Sequence, residues 1–397
     1  MTGDAPSGPG TRTDGPVGSG TRTDGPVGGA GTGAPAGGTP AGGGRPVVTG
    51  LSTTLRTVAL PRPWGPDVPA NHVIVVELTL SDGRTGRGFS WTPQIGAHAV
   101  RALLDHEIRE AVIGCEPHPE VVWDRLWRHL REAGGGGLTT IALAGVDLAL
   151  WDLRCGPGGL VETLGRRRDS VPVYGSGVNL HYPLEELLAQ ARRWRAAGHP
   201  AVKVKVGRDA LREDVARVAA VREVIGPDTL LMVDANQRWD LPRARRAISA
   251  LSDYDLHWVE EPLPADDVTG QARLRACVDV PIAVGESAYS IHDFRDLLAA
   301  GACDIVQPNV VRVGGITPLL RIAELARAFG VPVYPHLLPE ISGQLALALP
   351  LPCMVEEVED ASFAALGLID EPYPVSVKAG ELRAGDHRGL GLNWRAP

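Results

Sequence analysis

The strongest constraint on the fold is a regular alternation of short apolar runs and amphipathic segments, which begins near Ser170. Eight runs rich in β-branched residues are separated mostly by segments with the periodicity of helices. The runs cover residues 171–176, 201–206, 230–234, 257–260, 281–286, 304–309, 331–336 and 354–356. This alternation is typical of parallel strands joined by helices, which form either a closed (β/α)8-type barrel or an open doubly wound sheet.

The polar residues at the ends of these runs distinguish the two architectures. Nearly every run ends in a side chain capable of chemistry: Lys205, Asp234, Glu260, Glu286, Asn309, His336 and Glu356. In a barrel the carboxyl ends of the strands converge on one mouth, whereas in an open sheet they spread along an edge. Charged side chains at the ends of buried strands need a common binding partner, and a single central site can hold that partner. We therefore predict a barrel.

Two other segments precede the alternation. Residues 1 to about 45 consist mainly of small residues and proline; they bury too little apolar surface to offset the chain entropy, and we predict a disordered tail. Residues 46–170 mix strand and helix patterns, which predicts an α+β domain. A proline-rich loop at 61–69 carries Arg62 and Trp64, and by itself it is as consistent with a surface connection as with a binding role.

Composition excludes several classes of function. The formal net charge is −8, and without basic patches this argues against nucleic-acid binding. The five cysteines are scattered without C-x-x-C spacing, which indicates neither a disulfide framework nor a zinc site, so we expect a reducing, cytoplasmic location. No apolar run approaches the ~18 residues that span a bilayer, and no signal-peptide pattern is present. We expect no association with membranes.

Three acidic strand ends predict a metal site. Asp234, Glu260 and Glu286 would meet at one point, where their repulsion forces protonation unless a cation holds them. Oxygen ligands without cysteine favour a hard divalent ion, and we predict Mg²⁺. One of these acids could instead be a helix cap or a surface charge, but three on consecutive strands make that interpretation improbable.

Two lysines on one strand predict a base. The chain has 39 basic residues, of which only Lys203, Lys205 and Lys378 are lysines. Lys203 and Lys205 face the same side of their strand because side chains alternate. Unlike arginine, a lysine beside another cation can be tuned to act as a base. We predict that Lys205 takes a proton and that Lys203 lowers its pKa and helps to bind an anion; two solvated lysines at a strand end are the alternative.

These residues together predict a reaction class. A carboxylate substrate held on Mg²⁺ has an acidified α-proton, because the metal and nearby cations stabilise the enediolate that forms. Lys205 would remove this proton, and His336 would face the opposite side of the substrate. Glu356 would donate a hydrogen bond to the substrate carboxylate if its pKa is raised in the crowded site.

Several motifs in this order resemble the enolase superfamily, specifically the mandelate racemase subgroup, from about Val47 to the C terminus. They are Lys203-Val-Lys205, Asp234-Ala-Asn236, Glu260-Glu261-Pro262, Gly285-Glu286, the turn at 313–317, and His336 through Ile341-Ser342. The resemblance implies a modified (β/α)7β barrel at 171–362, an α+β domain at 46–170 that covers its mouth, and a segment at 363–397 that returns to this cap. It also implies a homo-oligomer.

The resemblance assigns roles to the predicted site residues. Asp234, Glu260 and Glu286 match the Mg²⁺ ligands and Lys205 the base. His336 matches the second acid/base and Glu356 the electrophilic carboxyl. Substrate contacts are expected from Asn236 and, in the loop that selects substrates, from Trp64 and Arg62.

One position departs from the family pattern. The family pairs its catalytic histidine with an aspartate at the end of the sixth strand, where this chain has Asn309. Asparagine can orient the ring of His336 but brings no charge, so we expect a weaker base there. Racemisation needs both sides of the site, whereas dehydration tolerates the change. We therefore hypothesise a lyase that dehydrates an acid sugar to a 2-keto-3-deoxy acid. The alternatives are a racemase or epimerase of a hydroxy acid or amino-acid derivative, and a non-catalytic relative that binds metal and carboxylate.

Overall fold

The computed structural model of the protein describes residues 44–65 and 68–396. The tail predicted at residues 1–45 therefore lies almost entirely outside the described residues. Within the described part of the chain, no helix is long and apolar enough to cross a membrane.

The N-terminal part of the described chain contains a three-stranded antiparallel sheet followed by helices. The strands pair in the order β1 (Val48–Ala59), β2 (Ala70–Leu80) and β3 (Thr85–Thr92). The helices are α1 (Ala97–Leu103), α2 (Arg109–Val112), α3 (Pro119–His129), α4 (Leu138–Arg154) and α5 (Gly159–Leu164).

Helix α4 is apolar on all sides because it is enclosed on all sides, with residues 139–151 buried. Gly88 of β3 permits a close approach to the sheet: a Cβ atom there would lie 2.3 Å from the carbonyl oxygen of Gly145. Elsewhere on the helix, Asp147 accepts a 3.0 Å hydrogen bond from the backbone N–H of Thr317. Helix α4 thus joins the N-terminal sheet to the rest of the molecule.

The remainder of the chain alternates strands and helices as predicted. The strands are β4 (Val171–Ser176), β5 (Ala201–Lys205), β6 (Leu230–Asp234), β7 (Leu256–Glu260), β8 (Ile282–Val284), β9 (Ile305–Val306), β10 (Val355–Val358), β11 (Val375–Lys378) and β12 (Glu381–Ala384). The helices are α6 (Leu184–Ala196), α7 (Leu211–Ile225), α8 (Leu241–Leu251), α9 (Val268–Arg275), α10 (Ile291–Ala299), α11 (Ile316–Ala328) and α12 (Pro339–Ala348).

The parallel strands pair in the order β10-β4-β5-β6-β7-β8-β9. The run at 331–336, predicted as the seventh strand, is not a regular strand: it makes a single bridge between Val333 and Val306. Pro332 and Pro335 explain the difference, because proline has no N–H to donate to a ladder.

One ring of side chains fills the space enclosed by these strands. Each strand position contributes one member to a buried cluster: Tyr174, Ala201, Met232, Trp258, Ala283, Ile305, Tyr334 and Met354. Such a layer, built by inward-facing residues of every strand, is the interior of a barrel. The bridge segment at Val333 therefore fills the seventh of the eight strand positions, between β9 and β10.

The C-terminal segment contacts both parts of the molecule. Strand β12 pairs with β4, with Leu382 opposite Val171. The rings of Phe363 and Trp394 lie 4.8 and 5.7 Å from that of Phe89 in β3. The domain boundaries at 46–170, 171–362 and 363–397 remain predictions.

Candidate active site

The three predicted metal ligands lie together at the carboxyl ends of adjacent strands. Asp234 ends β6 opposite Glu260, which ends β7, and Glu286 follows β8. One ligand atom of each lies within 4.8 Å of the others, and all three residues are buried. Burial, together with repulsion from Asp234 and Glu286, raises the pKa of Glu260 well above its usual range despite nearby Lys203. A divalent cation removes this repulsion, and this oxygen donor set fits Mg²⁺.

Lys203 is enclosed among carboxylates. Its Nζ atom lies 2.6 Å from Glu260 Oε1, 2.8 Å from Glu356 Oε1 and 3.8 Å from Asp234 Oδ2, and the side chain is 1% exposed. Burial lowers its pKa, but these carboxylates outweigh burial and raise it well above the usual value. We predicted that Lys203 helps to bind an anionic substrate; its surroundings instead favour the role of an internal counter-ion for Glu260 and Glu356.

Lys205 lies at the edge of the carboxylate cluster. It stands opposite Asp234 in the register of β5 and β6, and its Nζ atom forms an ion pair with Asp234 Oδ2. Burial lowers its pKa and so does Lys203, as predicted, but Asp234 outweighs both and the net pKa is raised. Lys203 thus acts on Lys205 in the predicted direction, although its effect is smaller than that of Asp234.

The side chain of Asn309 determines which nitrogen of His336 carries hydrogen. Asn309 Oδ1 accepts hydrogen bonds from the backbone N–H groups of Val311 and Arg312, at 3.0 and 3.1 Å. The amide nitrogen therefore faces His336 Nδ1 at 3.0 Å. Because an amide nitrogen only donates, Nδ1 accepts and the hydrogen of the neutral ring lies on Nε2. Nε2 is 3.0 Å from Glu286 Oε2, a suitable acceptor.

The pKa of Glu356 shifts in the direction opposite to the one that its predicted role requires. Burial raises its pKa, whereas Lys203 and other neighbouring groups lower it below its usual value. Its Oε2 atom accepts a 3.2 Å hydrogen bond from the backbone N–H of Leu337. These contacts join Glu356 to Lys203 and to the chain after His336, and its role as a donor to substrate remains a prediction.

Asn236, predicted to contact substrate, donates hydrogen bonds to Asp234, one of the predicted metal ligands. Its backbone N–H donates to Asp234 Oδ1 at 2.7 Å, and its Nδ2 atom donates to Asp234 Oδ2 at 3.3 Å. The residue adopts a left-handed backbone with φ of 41°, which asparagine tolerates better than most residues. These contacts orient Asp234.

The two loop residues predicted to contact substrate have different surroundings. Arg62 pairs with Glu186 at 2.5 Å and Glu359 at 3.7 Å, both on the barrel. Its guanidinium is thus committed to carboxylates of the protein. Trp64 packs against Trp91 of β3, with ring centroids 6.2 Å apart. Nothing in these contacts assigns either residue to a substrate.

Among the described residues, several in contact with the site were not predicted. Trp258 and Gln307 donate hydrogen bonds to Glu260, and Asn179 accepts one from the backbone N–H of Lys205. Strand alternation could have revealed Trp258, because it stands two positions before Glu260 and so faces the same side. Asn179 belongs to a loop and has no such signal.

A large open cavity lies away from this site. Its volume is about 1020 Å³, and Arg246, Leu256, Cys277 and Pro281 are among its lining residues. Leu256 begins β7 and Pro281 precedes β8, so the cavity is at the end of the barrel opposite the carboxylates. Active sites of such barrels lie at the carboxyl ends of the strands.

Family models identify the class of protein. The family described as "Enolase C-terminal domain-like" matches residues 186–397, and "Mandelate racemase / muconate lactonizing enzyme, N-terminal domain" matches residues 66–157. The chain belongs to this family, within the enolase superfamily. The predicted family and the predicted barrel with an N-terminal cap are confirmed.

Known relatives are similar over most of the chain. The chain is 36% identical to L-talarate/galactarate dehydratase of Salmonella typhimurium over 324 residues, 81% of this chain and 80% of that enzyme. It is 40% identical to 3,6-anhydro-alpha-L-galactonate cycloisomerase of Streptomyces coelicolor over 260 residues, 65% of this chain and 72% of that enzyme. The crystal structure of L-talarate dehydratase from Polaromonas sp. JS666, complexed with Mg and L-glucarate, has a TM-score of 0.81 and 34% identity, covering 88% of this chain and 95% of that one.

Proposed function

We propose that the protein is a Mg²⁺-dependent dehydratase of acid sugars. The observation that carries this proposal is the chemical difference between its two acid/base groups. Lys205 would become an amine that can accept a proton once Mg²⁺ takes over Asp234 and the lysine loses its own proton, whereas His336 Nε2 carries hydrogen because Asn309 donates to Nδ1. A site with one acceptor and one donor suits removal of a proton from one carbon and of a hydroxyl from the next.

Three carboxylates of this chain would hold the metal: Asp234, Glu260 and Glu286. When bound, Mg²⁺ would supply positive charge that stabilises a substrate carboxylate as its α-proton leaves and that competes with Lys205 for Asp234. The Mg and L-glucarate in the related L-talarate dehydratase support both this cofactor and a sugar-acid substrate.

The chain's own residues then divide the reaction between them. The C2–H bond breaks and its proton passes to the neutral amine of Lys205, while the C3–O bond breaks with His336 hydrogen-bonded to the departing hydroxyl. Lys205 then releases the proton taken from C2 to solvent, so that this proton and the hydroxide lost from C3 account for one water. The enol that remains transfers its hydroxyl proton to C3, which gives the 2-keto-3-deoxy acid.

A cycloisomerase is the second candidate, because the Streptomyces coelicolor relative at 40% identity has that name. It too would need one base. A racemase has less support, since His336 Nε2 cannot accept a proton from carbon while it carries hydrogen. A non-catalytic relative is the remaining alternative. We also expect a homo-oligomer in the cytoplasm, as predicted from the family and from the scattered cysteines.

A substrate panel tests the proposal. The full chain would be incubated with Mg²⁺ and with aldonic and aldaric acids in D₂O, and the products followed by NMR and mass spectrometry. Dehydration lowers the mass by one water and produces a 2-keto acid. An unchanged mass with a rearranged skeleton would establish a cycloisomerase, and deuterium at the α-carbon without water loss would establish a racemase. Metal binding without any of these changes would contradict catalysis.

A further inference from the structure

Glu260 is surrounded by hydrogen-bond donors from its own strand β7, from β5 and from the end of β9. Its Oε1 atom accepts from Lys203 Nζ at 2.6 Å. Its Oε2 atom accepts from two donors, Trp258 Nε1 at 3.1 Å and Gln307 Nε2 at 2.8 Å. All of these side chains are fully buried or nearly so. Glu260 thus has more donors than one carboxylate oxygen can accommodate.

The lone pairs of the Glu260 carboxylate limit how many of its oxygens can bind a metal. A carboxylate offers about four lone-pair positions on its two oxygens. Trp258 and Gln307 use both positions on Oε2, and Lys203 uses one on Oε1. One position on Oε1 is left. Glu260 can therefore bind a cation through one oxygen but not through two.

The donors on Oε2 are held rigidly by the barrel interior. The indole of Trp258 packs edge-to-face between Tyr174 and Tyr334, with ring centroids 5.6 and 5.3 Å away. Gln307 follows β9 and is 0% exposed. Neither side chain can swing aside to free Oε2 without disturbing the packed layer.

The number of oxygens that a carboxylate offers bears on which cation binds. Ca²⁺ takes six to eight oxygen ligands and often uses carboxylates through both oxygens, whereas Mg²⁺ demands a compact octahedron and is commonly bound through single oxygens. We propose that Trp258 and Gln307 are positioning residues that restrict Glu260 to one ligand oxygen and thereby make the site selective for Mg²⁺ over Ca²⁺. The inference rests on the proposed metal site and deepens it.

The test measures metal binding directly and needs no substrate. Calorimetric titrations of the metal-stripped full chain with Mg²⁺ alone and with Ca²⁺ alone would be made for the wild type, Trp258→Phe and Gln307→Leu. Each variant removes one donor from Oε2 and keeps a side chain of similar shape. We expect the wild type to prefer Mg²⁺. Each variant should bind Mg²⁺ about 10-fold more weakly or worse, in the range of lost outer contacts to metal ligands, and its preference for Mg²⁺ over Ca²⁺ should shrink.

Tyr334→Phe is the matched control. Tyr334 packs on the same indole, so this variant disturbs the same layer without removing a donor from Glu260, and its two affinities should equal those of the wild type. Equal weakening of both metals in Trp258→Phe and Gln307→Leu, unchanged Mg²⁺ binding, or a wild type that prefers Ca²⁺ would each overturn the inference. Because binding is read without turnover, a protein that selects Mg²⁺ yet transforms no carboxylate would contradict only the proposed activity.

Discussion

Asn309 donates a hydrogen bond to His336 Nδ1, which reverses the direction that an aspartate at this position would impose. An aspartate only accepts, so it would bind hydrogen on Nδ1 and leave Nε2 as a free acceptor. One side-chain atom therefore decides whether the ring offers the site a donor or a base.

Replacing this residue tests that conclusion. Asn309→Asp keeps an oxygen for the N–H groups of Val311 and Arg312 and turns the other oxygen to Nδ1. We expect His336 to become a base, with α-deuterium exchange from its side of the substrate rising at least ~10-fold, since positioned bases contribute about 10²–10⁴-fold. NMR of a substrate and its epimer in D₂O measures this rate. The gain should vanish in Asn309→Asp combined with His336→Asn; a gain that survives there would refute the assignment.

Lys205→Met should abolish exchange of the α-proton. The amine is the acceptor of that proton in the proposed reaction, so turnover should fall by at least ~10², whereas Mg²⁺ should still bind to Asp234, Glu260 and Glu286. Deuterium exchange and calorimetry separate the two effects. The matched control is Lys378→Met, which removes an exposed lysine of β11 and should behave as the wild type. Exchange that persists in Lys205→Met would exclude it as the base.

Lys203→Met should destabilise the fold more than Lys205→Met does. Lys203 is the buried counter-ion of Glu260 and Glu356, and removal of one partner of such a cluster costs about 3–5 kcal/mol. Chemical denaturation of the metal-free variants gives their free energies of unfolding. Equal stabilities of Lys203→Met and Lys378→Met would show that Lys203 does not have this role.

The contact between Asp147 of α4 and Thr317 of α11 should stabilise the fold to an extent that depends on pH. Burial raises the pKa of Asp147 to about 7, despite hydrogen bonds from Thr317 that lower it. The folded state then holds a proton that the unfolded state loses near pH 4, so this contribution is fully present below pH 4 and is lost as the pH rises through about 7.

The variant Asp147→Asn removes this proton linkage. Between pH 5 and pH 8 the free energy of unfolding of the wild type should fall relative to that of Asp147→Asn by about 2–3 kcal/mol, at ~1.4 kcal/mol per pH unit. Glu340, whose pKa burial also raises to about 7, is present in both proteins and cancels in the difference. A constant difference across this range would show that Asp147 does not titrate there.

Metal should stabilise the fold measurably. The three buried carboxylates repel one another without a cation, so Mg²⁺ at 100 times its dissociation constant should add about 2.7 kcal/mol to the free energy of unfolding, and a chelator should remove it. Thermal unfolding with and without Mg²⁺ measures the shift. Asp234→Asn should lose most of it; a full shift in that variant would place the metal elsewhere.

The barrel and the proximity of Asp234, Glu260 and Glu286 were predictable from the sequence, because periodicity and the spacing of strand ends are local properties of a chain. The run at 331–336 shows where that reasoning stops: its apolar pattern predicted a strand, but Pro332 and Pro335 reduce it to one bridge at Val333.

The charge and hydrogen-bond states of the site were decided only by the tertiary structure. The sequence placed Lys203, Glu260 and Glu356 on different strands, but which carboxylates surround the lysine depends on distances between residues far apart in the chain. The same holds for Asn309, whose identity was visible while its orientation was set by the backbone of Val311 and Arg312. Electrostatic and hydrogen-bond energies vary steeply over an ångström, which no spacing in sequence specifies.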